Sequence, residues 1–159
     1  MRIQSNVGCE VRDACGAVVT AWQGSNIATN NLRQSFINRL LDQQLVATAV
    51  YPRFLHFGTG TAVPVAAATQ IGTYVTAKAT AASSALGTSG LTARLYASLG
   101  PTEMTGTITE LGAAASEGPG SVLLFAWSLV DGGTGVSHAS GTQAIFYWDF
   151  VLGTGQQPF

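Results

Sequence analysis

Apolar positions first fall two residues apart. Val7, Cys9 and Val11 alternate with polar residues or Gly8, which predicts a half-buried strand. Asp13-Ala14-Cys15-Gly16 carries turn chemistry, and Ala17–Gln23 resumes with β-branched Val18, Val19 and Thr20 and then Trp22. The two runs predict a hairpin with Cys9 in a strand and Cys15 in the turn. The period then lengthens. Leu32, Phe36, Ile37, Leu40, Leu41 and Leu45 recur at helical spacing while Arg33, Gln34, Asn38, Asp42 and Gln43 take the other face. Thr29, Asn30 or Asn31 can cap this element, an amphipathic helix near residues 31–46 with its leucine face on a sheet.

After Pro52 the pattern turns to strand. Arg53–Phe57 runs into Gly58-Thr59-Gly60, where positive φ at Gly58 or Gly60 is expected for a tight turn. Pro64 and a stretch of small residues lead to Thr69-Gln70-Ile71-Gly72. From there the chain reads as sheet: Tyr74–Ala81, a loop over Ser83–Gly90, and alternation through Leu91, Ala93, Leu95 and Ala97. A strand through Met104, Gly106, Ile108 and Glu110 should end at Gly112. An apolar, central strand is expected over Ser121–Val130, a turn at Asp131-Gly132-Gly133, and a last strand over Thr142–Leu152. Roughly eight short strands and one helix predict a mostly-β chain, a single jelly-roll-like β-sandwich. The domain should occupy residues 1–152, leaving 153–159 as a C-terminal arm that reaches a neighbour through Gln156, Gln157 and Phe159.

Composition changes the picture in one respect. The 159 residues are 47% hydrophobic and only 9% charged, where an ordinary soluble domain has roughly a quarter charged. A surface of Ala, Thr, Ser and Gly suits a molecule packed against neighbours. The seven basic residues are scattered and the net charge is −1, so no stripe tracks a phosphate backbone and nucleic acid is not an expected partner. No apolar run is long enough to span a bilayer, and residues 1–6 lack a signal-peptide core, so the expectation is a protein made in the cytoplasm that stays soluble or assembles there, without a membrane.

Candidate chemistry is sparse. Gly58-Thr59-Gly60 lacks the Gly-Lys-Ser/Thr of a phosphate loop, and Val63 stands where a dinucleotide loop has its third glycine. His56 and His138 belong to no ligand pair, and Cys9 and Cys15 are expected as free thiols. Either cysteine could in principle pair with a histidine as a nucleophile. Glu103 and Glu110 could form a carboxylate pair, but their offset places them on opposite faces of a regular strand, as solvated edge carboxylates. No catalytic, metal or cofactor set is expected. Trp22, Trp127 and Trp148 could stack sugars in a glycan-binding or hydrolytic sandwich, although such residues in alternating strands more often fill a core.

The order of the motifs resembles small structural and attachment proteins of tailed bacteriophages. The pieces are a helix opening near Thr29, then Phe57-Gly58-Thr59-Gly60-Thr61, Pro64 and Thr69-Gln70-Ile71-Gly72. Ile108-Thr109-Glu110-Leu111-Gly112, Gly118-Pro119-Gly120, Leu124-Phe125-Ala126 and a closing strand over Ala144–Phe150 follow. Ile71 replaces the usual Leu, and Leu111-Gly112 reverses the usual Gly-Leu. The resemblance implies a non-enzymatic virion protein of tail, neck, baseplate or appendage attachment. It also implies a homo-oligomer of threefold or sixfold symmetry among other virion structural proteins. A head decoration (cement) protein is the alternative, and a glycan-binding module a more distant one.

Overall fold

The computed structural model describes residues 2–34, 52–87, 90–119 and 124–153. The protein is mostly β, built from antiparallel sheets. The first five-stranded sheet uses β1 (Arg2–Arg12), β2 (Val18–Ser25), β6 (Ala81–Gly87), β7 (Gly90–Leu99) and β12 (Gln143–Gly153), in the order β2-β1-β12-β7-β6. The second uses β3 (Ile27–Ala28), β4 (Phe54–Gly58), β5 (Tyr74–Ala79), β9 (Glu110–Ala114) and β10 (Leu124–Leu129), in the order β3-β10-β9-β4-β5. A two-stranded ribbon of β8 (Gly106–Ile108) and β11 (Val136–His138) completes the described strands.

The two large sheets pack face to face as a sandwich because each offers one alternating apolar row. The first contributes Val7, Cys9 and Val11 from β1, Phe146 and Trp148 from β12, and Leu95, Ala97 and Leu99 from β7. The second answers with Leu55, Phe57, Leu111, Ala113 and Ala126. Phe57 and Phe146 meet edge to face across the layers, ring centroids 5.0 Å apart. The outer face of the first sheet is polar. There Arg94 holds Asp149 through two 2.7 Å hydrogen bonds and lies 4.4 Å from the Tyr147 ring centre.

The second sheet is buried on both faces. Its outer face carries a separate apolar cluster of Ile71, Ala114, Leu124 and Trp127 with Ala68 and Tyr74 against it. This explains why β4 and β10 read as continuous apolar runs rather than as alternation. Part of the cover is the chain between β4 and β5, residues 59–73, a strap that contributes Ile71 and Ala68.

Several expectations need correction. Residues 83–87, expected as loop, belong to β6. Their Ala and Ser side chains gave no apolar signal, but an edge strand needs only a backbone partner, here β7. The expected strand through Met104 and Glu110 is two strands. Met104 at φ 43° keeps the strand from starting before Gly106, and Thr109 divides the rest, its N–H donating to the Gly58 carbonyl and its carbonyl accepting from Val130 N–H, so β8 joins the ribbon and β9 the sandwich. Gly112, expected to end a strand, lies within β9. Gly153 closes β12 instead of opening an arm. The strand count exceeds the expected eight because short strands such as β3 carry no period. The β1–β2 hairpin and the last strand are as expected, and both cysteines are free.

Helical geometry begins at residues 30–34. Thr29 does not cap with its side chain. Its hydroxyl donates to the Leu124 carbonyl, and its own carbonyl accepts from Arg33 N–H at 3.4 Å. The rest of the expected helix, and Gln156, Gln157 and Phe159 of the expected arm, lie outside the described residues.

Candidate functional site

Glu110 is the chemically distinctive residue of the fold. It opens β9 on the outer face of the second sheet, fully buried beneath the strap. Sequence reasoning placed it as a solvated edge carboxylate, and the structure overturns that. Three backbone N–H groups supply what water would have supplied. Gly60 N–H and Thr73 N–H donate to Oε2 at 3.0 and 2.7 Å, and Gly72 N–H donates to Oε1 at 3.1 Å. The two ends of the strap are thus fastened to one carboxylate. Thr109 adds a second tie. Its hydroxyl donates to the Gly60 carbonyl at 2.6 Å and its N–H donates to the Gly58 carbonyl at 3.0 Å.

The glycines follow from this carboxylate. Neither Gly58 nor Gly60 has a positive φ, which corrects the turn argument. Their role is close approach. A Cβ on Gly58, Gly60 or Gly72 would stand 2.7, 2.6 or 2.6 Å from a Glu110 oxygen. No real Cβ tolerates such contact, and the backbone N–H groups could not reach the carboxylate past one. Gly112, two residues on and on the same face, makes room for Ile71, whose Cγ2 lies 2.6 Å from where a Cβ would be. Gly58-x-Gly60, Ile71-Gly72 and Glu110-Leu111-Gly112, separate in sequence, form one lock.

Beside the lock runs a row across three strands. His56 pairs with Gly112, and Gly112 with Trp127. His56 is fully buried. Its Nε2 sits 2.6 Å from the Ser116 carbonyl, its Nδ1 has no partner, and the Tyr74 ring meets it edge to face. Burial holds its pKa below the usual 6.5 against the opposing pull of the Ser116 carbonyl, which keeps the ring neutral near pH 7.

The remaining candidates are not brought together. Glu103 is far from the lock's chemistry. It pairs with Lys78 and accepts from Gly100 N–H at 2.7 Å. His138 is buried between the carbonyls of Met104 and Thr142. Cys9 lies in the core between the sheets, whereas His56 faces outward from the second sheet, so they form no nucleophile pair. Burial pushes the Cys9 thiol up to about 11, away from thiolate reactivity. Cys15 is exposed in the β1–β2 turn. Among the described residues no cluster of three potential metal ligands occurs. No described helix is long and apolar enough to cross a membrane. Of the tryptophans, Trp148 is wholly core, Trp127 is 5% exposed, and Trp22 is half-buried at the sandwich edge.

The chain matches no protein-family model, no curated protein and no solved structure.

Proposed function

We propose that the chain is a non-enzymatic structural protein of a tailed-phage virion, a tail, neck, baseplate or appendage-attachment component that self-assembles and meets other virion proteins. The observation that carries this reading is the open edge at β2. Among the described residues β2 pairs only with β1, and its eight residues, Val18–Ser25, include no charge and no proline. Val18 and Val19 are 48% and 56% exposed. Monomers usually blunt such an edge with Lys, Pro or a bulge, because it templates pairing with another chain. Here the edge is uncharged and its one bulge is confined to the Val18–Thr20 end, in a molecule with few charges anywhere. That combination fits a subunit whose edge is covered in an assembly.

The Glu110 lock supports the resemblance from a second direction. Three of the motifs that suggested phage structural proteins, at residues 57–61, 69–72 and 108–112, converge on one structural node. Gln156, Gln157 and Phe159 remain the proposed arm contacts.

Quantitative mass spectrometry of purified particles is the test. A copy number that is a small multiple of three or six fits tail or neck. Hundreds of copies would instead make it a head decoration protein, and absence from the particle would end both readings.

A further inference from the structure

A groove of about 400 Å³ opens where the chain crosses from β2 to β3, between the sheet edge and the loop after β10. That volume is in the range of small-ligand sites. We propose that this groove binds a neutral sugar, a hexopyranose or a short chain of them, independently of the assembly reading above.

Three observations carry it. First, the walls include two indoles, Trp22 and Trp127. Trp22 lies along its own strand in space that Gly24 leaves free: indole carbons occupy the position a Gly24 Cβ would take, Cε2 being 3.2 Å from it. An indole at a groove of mixed polarity suits a ligand with one apolar face, as a pyranose has on its C–H side. Second, the described residues have four buried side-chain polar atoms without a partner, and two belong to residues that line this groove, Asn26 Oδ1 and Trp127 Nε1, both just behind its surface. One is an acceptor and the other a donor. A hydroxyl donates and accepts at once, so a ligand with adjacent hydroxyls can serve both, whereas a carboxylate or a quaternary ammonium serves at most one. Third, the only ionisable group of the lining is Asp131, exposed at the rim with φ 48° and ψ 46°. Asp131 and Gly132 are both left-handed, the backbone of a tight Asp-Gly turn that holds this carboxylate at the rim. The carboxylate can accept from two vicinal hydroxyls and disfavours an acidic sugar.

The probes are glucose, galactose, mannose, N-acetylglucosamine and their disaccharides, with sialic acid and choline chloride as counter-probes. Binding is read by saturation-transfer NMR and tryptophan fluorescence on the full chain. At least one neutral sugar should bind saturably with Kd in the range of about 1–10 mM. Trp22→Ala should weaken that affinity by about tenfold or more, and Asp131→Gly, which suits the left-handed backbone, by about threefold or more. Should Trp22→Ala fail to fold, Asp131→Gly at the exposed rim carries the test alone. The proposal is overturned if no neutral sugar binds at about 50 mM, a concentration that would reveal even a millimolar site. It is equally overturned if sialic acid or choline binds in preference, or if binding survives unchanged in the folded variants.

Discussion

Glu110 shows how one side chain can dictate residue choice at three other positions. A carboxylate removed from water is costly unless charge-assisted hydrogen bonds replace its hydration, and three backbone donors do so here. Those donors reach it only because residues 58, 60 and 72 lack a Cβ. Glu110→Ala should therefore destabilise the protein by about 2–4 kcal/mol, since it removes all three charge-assisted hydrogen bonds that fasten the strap. Gly60→Ala should cost more than about 1 kcal/mol in the native protein but less in the Glu110→Ala background, because the atom it collides with is gone. Equal costs in both backgrounds, measured by urea unfolding, would refute the close-approach account. His56 gives a pH signature at the same scale. Its folded pKa is depressed below 6.5, so as pH falls from about 6.5 the unfolded chain takes up a proton that the folded chain refuses. Stability should be flat above that pH and decline below it, down to the folded pKa, by at most about 1.4 kcal/mol per pH unit from this group. Half-exposed Glu103, lowered by its Lys78 partner, enters only below 4.5 and does not confuse the window. In His56→Gln the decline between pH 6.5 and 5 should flatten, whatever the variant's stability at pH 7.

At the scale of elements, the strap over residues 59–73 joins the lock to the second core. Ile71 is its apolar anchor, seated on Gly112 beside Leu124. Truncating Ile71→Ala should cost about 2–5 kcal/mol. The loss should be local before it is global. Hydrogen exchange should accelerate at the amides of Gly60, Gly72 and Thr73 more than at those of β12, the middle strand of the first sheet. Uniform acceleration would mean the strap and the sandwich open together. The legibility of these elements in sequence varied for physical reasons. The β1–β2 hairpin and β12 could be read because each buries one face, so period two survives in the residues. β9 and the strap could not, because the second sheet is buried on both faces and the partners of Glu110 are main-chain N–H groups, which leave no residue-type signature. The glycines were visible, but their usual explanation, positive φ, was the wrong one. Burial of Glu110 could have been suspected from its place between Ile108 and Leu111, with glycines two residues after it and at three other motif positions.

For the whole molecule, the balance is between a well-filled interior and an unfinished perimeter. The sandwich core is closed by Phe57, Phe146 and Trp148, all essentially inaccessible, while β2 presents exposed valines on an edge that no other described strand pairs with. A two-fold pairing of β2 with β2 of a second copy would bring no like charges together, since the strand has none. Val18→Lys/Val19→Lys places two positive charges on that edge, and pairing would then oppose four. The side chains are exposed in the monomer, so each change should alter its stability by no more than about 0.5 kcal/mol. Sedimentation velocity across a concentration series should show the native chain self-associating and the double variant remaining monomeric at the same concentrations. Recruitment to purified particles should fall in parallel if the same edge serves in the virion. A native chain that stays monomeric throughout and binds no virion protein would remove the assembly reading. If the lysine variant associates as strongly as the native chain, assembly uses a surface other than β2.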